Sequence, residues 1–288
     1  MWDEGTRSWS PLIRPYSRKR LECSARGTTT EGKSVGESDS AMVSSTDRAF
    51  FEVSGVDMNF GALAALQGVS FEVEKGAIFG IAGPNGAGKT TLLNVISGVC
   101  KPSRGEVYLE GVKISGLRPM NVCYRGVART FQIPVVFPTL TVLENIKIGM
   151  IFGHGPGQRS SKRISEFVDF VGLGGKENLL AANIDLYSRK LLMLAAALST
   201  EPKLLLLDEP LSGLNFREIE DFLRVVKELN QEMGATILIV EHLFDKLVET
   251  SQEIMILDFG RQIYLGPSDT VADDPTVIEV YLGMKRHA

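Results

Sequence analysis

From Phe50 onward the chain carries two kinds of apolar pattern. AFFEVSGVDMNF (49–60) and VSFEVEKGAIFGIAG (69–83) show period-two alternation and short apolar runs, which predict strands. KTTLLNVISGV (89–99) instead sets Leu92, Ile96 and Val99 along one helical stripe, with Gly98 near its end. GEVYLEGVKI (105–114) predicts another strand after a turn. TVLENIKIGM (141–150) opens with Thr141 and Glu144, the spacing of a capping box at a helix start. The middle of the chain, 136–200, reads as mostly helical. KLLLLDEP (203–210) and ATILIVEH (235–242) are unbroken apolar runs ending in acidic residues. Such runs suit a parallel sheet covered on both faces, so the pattern predicts an α/β fold. No internal repeat interrupts it.

Residues 1–47 follow neither pattern. They are rich in Ser, Thr, Gly, Arg and Glu and poor in branched aliphatics, and they are expected to be disordered. Within them, the run from Arg14 to Arg20 reads either as a lure for anionic lipid or RNA or as part of a solvated tail. Acidic residues follow closely, which favours the tail. Met42 is a candidate alternative start. The extreme N-terminus lacks an apolar segment, so no secretory signal is expected. The division is therefore a tail over 1–47 and one domain over 49–288.

Composition narrows the functional classes. With 288 residues, 44% of them apolar, the chain can bury a large core. A formal net charge of −4 gives no broad basic field, so no nucleic-acid partner is expected. The longest apolar runs, such as Leu191–Leu198, are too short to span a bilayer. Cys23, Cys100 and Cys123 are scattered without a CxxC pair, which fits a reducing compartment and no disulfide or zinc framework.

The strongest chemical signal is GPNGAGKTT: Gly83, Pro84, Asn85, Gly86, Ala87, Gly88, Lys89, Thr90 and Thr91. It satisfies the G-x-x-x-x-G-K-[ST] phosphate loop and sits between a predicted strand and a predicted helix, the context that motif needs. The glycines let backbone N–H groups turn inward on a phosphate, and the helix start adds a favourable partial charge. Lys89 can bridge the β- and γ-phosphates, and the Thr90 hydroxyl can ligate Mg²⁺. Asp208 and Glu209 follow the apolar run Leu204–Leu207, which delivers them to the end of a buried strand. Asp208 would hold Mg²⁺ through water, and Glu209 would polarise the attacking water. An acidic pair after a strand is also an ordinary helix start; its place 119 residues after Lys89 in an α/β pattern favours the catalytic reading.

From these residues onward the chain resembles the nucleotide-binding subunits of ABC transporters. RTFQ ends in Gln132, matching the glutamine that reaches the metal and the nucleophilic water. EHLFD supplies His242, matching the switch histidine on the γ-phosphate. LSGLN (211–215) matches the loop that crosses the dimer interface. Phe60, 23 residues before Gly83, matches the aromatic that stacks on adenine. Taken singly, Gln132 reads as a loop amide, His242 as a core histidine and Phe60 as a core aromatic; their order carries the resemblance. It implies a P-loop NTPase (RecA-like) core, an antiparallel β subdomain near 49–75 and 102–128, and a helical subdomain near 136–200. It also implies ATP and Mg²⁺ as ligands, ATP hydrolysis, integral-membrane permease subunits, a second ATPase subunit, indirectly a solute-binding protein, and a peripheral place on the cytoplasmic side of the membrane.

Within that family, GVARTFQ, LTVLENIKIG, IVEHLFDKL and the tail GRQIYLGPSDTVADDPTVIEVYLG (260–283) look like the subunits of branched-chain amino-acid importers. The segment between Met150 and Ile164 looks shorter than usual there. Three other readings stay open: the ATPase of a lipid or lipopolysaccharide exporter, a soluble ABC ATPase of DNA repair or translation, and a regulatory module that does not hydrolyse. One cassette without heptads argues against the second. An intact Lys89, Asp208, Glu209 and His242 argue against the third.

One family motif is replaced. The resemblance places Leu-Ser-Gly-Gly-Gln with its serine 23 residues before the metal-binding aspartate, and counting back from Asp208 lands on Asp185. Ile184-Asp185-Leu186-Tyr187-Ser188 stands there. Asp185 still suits a helix cap, and Leu191, Leu194, Ala195 and Leu198 still form a stripe for burial. A carboxylate facing a neighbour's phosphate is a like-charge pair, costing roughly 3 kcal/mol per unit charge at about 5 Å and an effective dielectric near 20. The segment is either a cap with backbone phosphate contacts retained, or a signature without its phosphate chemistry. The second reading predicts a heterodimer with a sibling bearing a full signature; a homodimer is the alternative.

Overall fold

The computed structural model describes residues 49–157 and 163–282. The expectations for the tail 1–47, and for part of the Met150–Ile164 segment, lie outside the described residues.

The N-terminal strands build a four-stranded antiparallel sheet in the order β2-β1-β4-β5: β1 (Phe51–Phe60), β2 (Leu63–Val73), β4 (Arg104–Leu109) and β5 (Val112–Lys113). The stretch 105–114 is therefore not one strand. Glu110 and Gly111 both take positive φ (50° and 72°) and turn it into a hairpin that pairs Leu109 with Val112.

The second sheet has the order β10-β9-β3-β8-β7-β6 among the described residues. Its parallel strands are β3 (Ile78–Ala82), β6 (Val127–Arg129), β7 (Leu204–Asp208), β8 (Thr236–Val240) and β9 (Glu253–Asp258); β10 (Arg261–Pro267) closes one edge antiparallel. Successive residues of β7 enter different cores: Leu204 and Leu206 pack toward the antiparallel sheet, Leu205 and Leu207 toward the helices. β8 and β9 alternate in the same way. A strand covered on both faces has no polar side to show, which is why these segments read as unbroken apolar runs. The antiparallel subdomain expected up to 128 stops earlier. Pro119–Tyr124 is a helix, α2, and β6 leaves for the parallel sheet, drawn there by its pairing with β7.

Helix α1 (Lys89–Ile96) packs between the two sheets, and its Leu92, Leu93, Val95 and Ile96 are fully buried. Val99 is not on that stripe. The helix ends at Ile96, Gly98 turns the chain at φ +77°, and Val99 is left 56% exposed. On the other face lie α3 (Val142–Phe152), α4 (Ile164–Phe170), α5 (Leu186–Leu198), α6 (Phe216–Met233) and α7 (Phe244–Thr250), with α8 (Pro275–Leu282) at the end of the described chain. The capping box at Thr141 and Glu144 forms as the spacing predicts, and a second one, Asn215 with Glu218, opens α6. No helix among the described residues is long and apolar enough to cross a membrane.

Candidate functional site

The site lies where β3, β7 and β8 reach their C-terminal ends. Between β3 and α1 the chain folds into a loop that only glycine permits at two points. Gly83 has φ +147°, and a Cβ there would stand 2.1 Å from the Leu257 carbonyl oxygen; at Gly88, φ +107°, it would stand 2.7 Å from that of Ala65. Pro84, Asn85 and Gly86 form the exposed rim, and Ala87 is buried beneath. Lys89 is 5% exposed, and its ammonium donates to the Gly83 and Pro84 carbonyls at 2.7 and 3.0 Å. Burial lowers its pKa, against the pull of Glu209, Asp208 and Glu241. Thr90 is exposed and Thr91 partly so, on the first turn of α1.

Asp208 ends β7. Its Oδ2 accepts from Arg129 Nη2 at 2.7 Å, a pair in which both side chains are under a tenth exposed. Arg129 Nη1 in turn donates to Asn94 Oδ1 and Ser97 Oγ on α1. Glu209 follows with φ +44°, a left-handed backbone that costs a non-glycine residue about 1–3 kcal/mol. That twist and the bond from Glu209 N–H to the Val240 carbonyl (2.9 Å) fix its carboxylate. Glu209 Oε2 accepts from Gln132 Nε2 at 2.6 Å and lies 3.7 Å from His242 Nδ1.

Gln132 and His242 thus flank Glu209, and the charges of Glu209 and Asp208 act on Lys89. Phe60 stands apart at the tip of β1, 49% exposed. The link from its hairpin to the loop runs through Ala65, whose carbonyl crowds Gly88. Thr90, Gln132 and Asp208 all offer oxygen, the donor set that suits Mg²⁺ bound through a few protein groups and the phosphates.

Three residues of this region were not picked out from the sequence. Arg129 lies three positions before Gln132, but its partner is 79 residues away. Glu241 is fully buried; its Oε1 accepts from Leu211 N–H at 2.7 Å and its Oε2 from His242 N–H at 3.2 Å. Burial pushes its carboxyl up, against those two N–H groups and the His242 side chain. Lys190, on α5, is 2% exposed and donates to the Gln132 carbonyl at 3.2 Å. Burial lowers its pKa, against Glu241 and Glu209.

The replaced signature begins α5. Asp185 caps the helix, its Oδ1 accepting from Ser188 N–H at 2.7 Å and its Oδ2 from Ser188 Oγ at 3.0 Å. The Ser188 N–H is the largest influence holding its carboxyl below the ordinary value. Lys176 donates to Ser188 Oγ at 2.7 Å and stands 3.7 Å from Asp185 Oδ2. Leu191, Leu194, Ala195 and Leu198 are buried as the stripe predicts, Ile184 is buried ahead of them, and Tyr187 packs against the same core. Leu186 is 42% exposed.

A phosphate loop at the end of a central parallel strand, facing an acidic pair at the end of another, defines a P-loop NTPase. The family described as ABC transporter matches residues 66–212, half of the chain. The high-affinity branched-chain amino acid transport ATP-binding protein BraF of Pseudomonas aeruginosa is 32% identical over 251 residues, covering 82% of this chain and 98% of that protein. The probable branched-chain amino acid transport ATP-binding protein LivG of Archaeoglobus fulgidus is 36% identical over 236 residues, covering 78% and 91%. An ATP-binding cassette of an ABC transporter, solved in its ADP conformation, superposes with a TM-score of 0.74 at 32% identity, covering 83% of this chain and 100% of that one. The chain belongs to the ABC transporter family and is an ATPase of that class.

Proposed function

We propose that this chain binds and hydrolyses ATP to power an importer of branched-chain or related amino acids. The observation that carries the chemistry is Glu209, held between the Gln132 amide and the His242 imidazole beside the Lys89 loop. In this reading the loop N–H groups and Lys89 hold the phosphates, and Phe60 stacks on the base. Stacking of that kind contributes about 1–3 kcal/mol and tolerates any base. Glu209 orients a water in line with the γ-phosphorus and takes its proton as the new P–O bond forms. The bond to the β-phosphate breaks, and ADP and phosphate leave. His242 and Gln132 stabilise the γ-phosphate and the water. Thr90, Asp208 and Gln132 would hold Mg²⁺, which supplies charge neutralisation on the phosphates. Catalysis is then mostly positioning and electrostatics.

Transport requires a membrane partner. A groove of about 330 Å³ runs between the parallel sheet and the α3–α5 helices, lined by Val99, Phe131, Val135, Phe137, Ile148 and Met193. Ile133, which lies in the chain between the lining residues Phe131 and Val135, and Phe152, at the end of α3, are 77% and 69% exposed. In this reading a permease segment docks there and places the chain on the cytoplasmic face of the membrane, with a solute-binding protein feeding the permease from outside. A second ATPase subunit completes the assembly. Asp185 in the signature position favours an unlike partner, whose own signature would complete the site built on Lys89.

The test is uptake. Vesicles carrying the two permeases and both ATPase subunits, supplied with the binding protein, are expected to accumulate labelled leucine only with ATP inside the compartment that bears this chain. Hydrolysis without uptake of any branched-chain amino acid would overturn the solute. No hydrolysis by the complete assembly would overturn the chemistry.

A further inference from the structure

The charged side chains buried among the described residues are Lys89, Lys190, Glu241 and Asp208, the last with its partner Arg129. Burying an ion costs several kcal/mol unless its partners are well placed, so each needs a reason. Lys89 and Asp208 belong to the nucleotide chemistry proposed above. Lys190 and Glu241 do not. Neither is placed to touch phosphate in that reading, because each spends its hydrogen bonds on backbone atoms of a loop.

Those loops are the ones that meet at Glu209. The Glu241 carboxylate reaches across 30 residues to the N–H of Leu211, in the LSGLN loop, and holds the N–H of its neighbour His242 with its other oxygen. The Lys190 ammonium reaches across 58 residues to the carbonyl of Gln132. One atom of each loop is therefore fastened by a buried charge. The Gln132 and His242 side chains that follow from these anchors flank the Glu209 carboxylate. Hydrogen bonds from or to an ion are roughly twice as strong as neutral ones, which suits anchors that must hold while nucleotide comes and goes.

We propose that Lys190 and Glu241 are positioning residues, two buried charges that each fasten backbone and together set the Gln132, Leu211 and His242 loops around Glu209. The proposal rests on the ATPase reading and adds to it the groups that hold the catalytic side chains in place. It also gives α5 a task unrelated to phosphate: Lys190 lies one turn after the Asp185 cap and ties that helix to the Gln132 loop. A glutamine at 241 has the right shape and the wrong chemistry, since its amide NH₂ would face one of the two N–H donors.

The experiment uses the full chain with its second ATPase subunit and compares Glu241→Gln, Lys190→Met, Lys190→Arg and the double variant Glu241→Gln/Lys190→Met. Steady-state phosphate release gives kcat and KM, and calorimetry with ADP gives nucleotide affinity. Glu241→Gln and Lys190→Met are each expected to lower kcat about 10- to 100-fold, the scale of a misplacement near 1 Å. KM and ADP affinity should stay within about twofold, because the phosphate loop is untouched. Lys190→Arg should recover most of the rate, since a guanidinium also donates to the Gln132 carbonyl. The double variant should lose no more than the worse single one, as expected of groups acting as a unit. Near wild-type kcat in both single variants would overturn the proposal. So would an equal loss of ADP affinity, a Lys190→Arg variant as slow as Lys190→Met, or losses that multiply. If Glu241→Gln does not fold, the Lys190 pair decides alone. Failure of the wild-type assembly to hydrolyse ATP would instead count against the proposed ATP hydrolysis itself.

Discussion

Two regions of this chain would face phosphate in the proposed function, and they differ in how much of the needed chemistry they carry. The loop from Gly83 to Thr91, with Asp208, Glu209 and His242, carries every group that the proposed chemistry needs. The start of α5 keeps only the architecture. Asp185 still caps the helix through Ser188, and the stripe beneath it is still buried. Its exposed surface instead carries the Asp185 carboxylate and the Leu186 isobutyl group, with the half-buried Tyr187 ring behind them, where the proposed function calls for close backbone approach to a phosphate. The comparison teaches that folding and ligand chemistry in one helix can be separated: a cap needs an acceptor oxygen, and a phosphate site needs the reverse sign. Lys176 softens the contrast, since its ammonium sits 3.7 Å from the Asp185 carboxylate and offsets part of that charge.

The sharpest way to break the comparison is to damage the intact region. Glu209→Gln is expected to slow phosphate release on the order of 10²–10⁴-fold while ATP still binds. Unchanged turnover would remove Glu209 as the base. Next in size is Arg129→Met. It leaves Asp208 buried without its cation, and breaking such a pair costs about 3–5 kcal/mol. Urea denaturation should show the loss, and a shift below 1 kcal/mol would mean water already screens the pair.

The other region can be repaired. Asp185→Ser with Tyr187→Gly keeps a capping oxygen and restores backbone access. It should raise ATP hydrolysis by the lone chain about tenfold, the worth of one regained hydrogen bond to a charged group. No gain would mean that the segment was never limiting. The smallest effect is on the cap itself. Asp185→Ala should destabilise the fold by about 1 kcal/mol at neutral pH. The Asp185 carboxyl titrates below its unfolded value of 3.8, so its contribution is full above that value and fades as pH falls through the lower folded one. Denaturation of wild type and variant should converge in acid, and a constant gap would assign the loss to packing.

Much of this was legible in the sequence because it is local. The phosphate loop, the caps at Thr141 and Asp185, and the two-sided strands at 204–208 and 236–240 each announce themselves within a dozen residues. What was missed depends on distance along the chain. β6 is three residues long and is a strand only because Leu204–Leu206 lie beside it. Arg129 becomes a buried ion by meeting Asp208, and Glu241 looked like the polar end of an apolar run until its carboxylate reached Leu211. Val99 matched the helical period of α1, but Gly98 ended the helix first.

The central claim is that this chain brings one working half of an ATP site and needs an unlike subunit for the other half. Phosphate release measured on the purified chain alone, and on the chain mixed with the second ATPase subunit, tests it directly. The account predicts slow hydrolysis alone, fast hydrolysis by the pair, and loss of the fast rate when Lys89→Ala is placed in this chain. A lone chain that hydrolyses ATP as fast as the pair would contradict it.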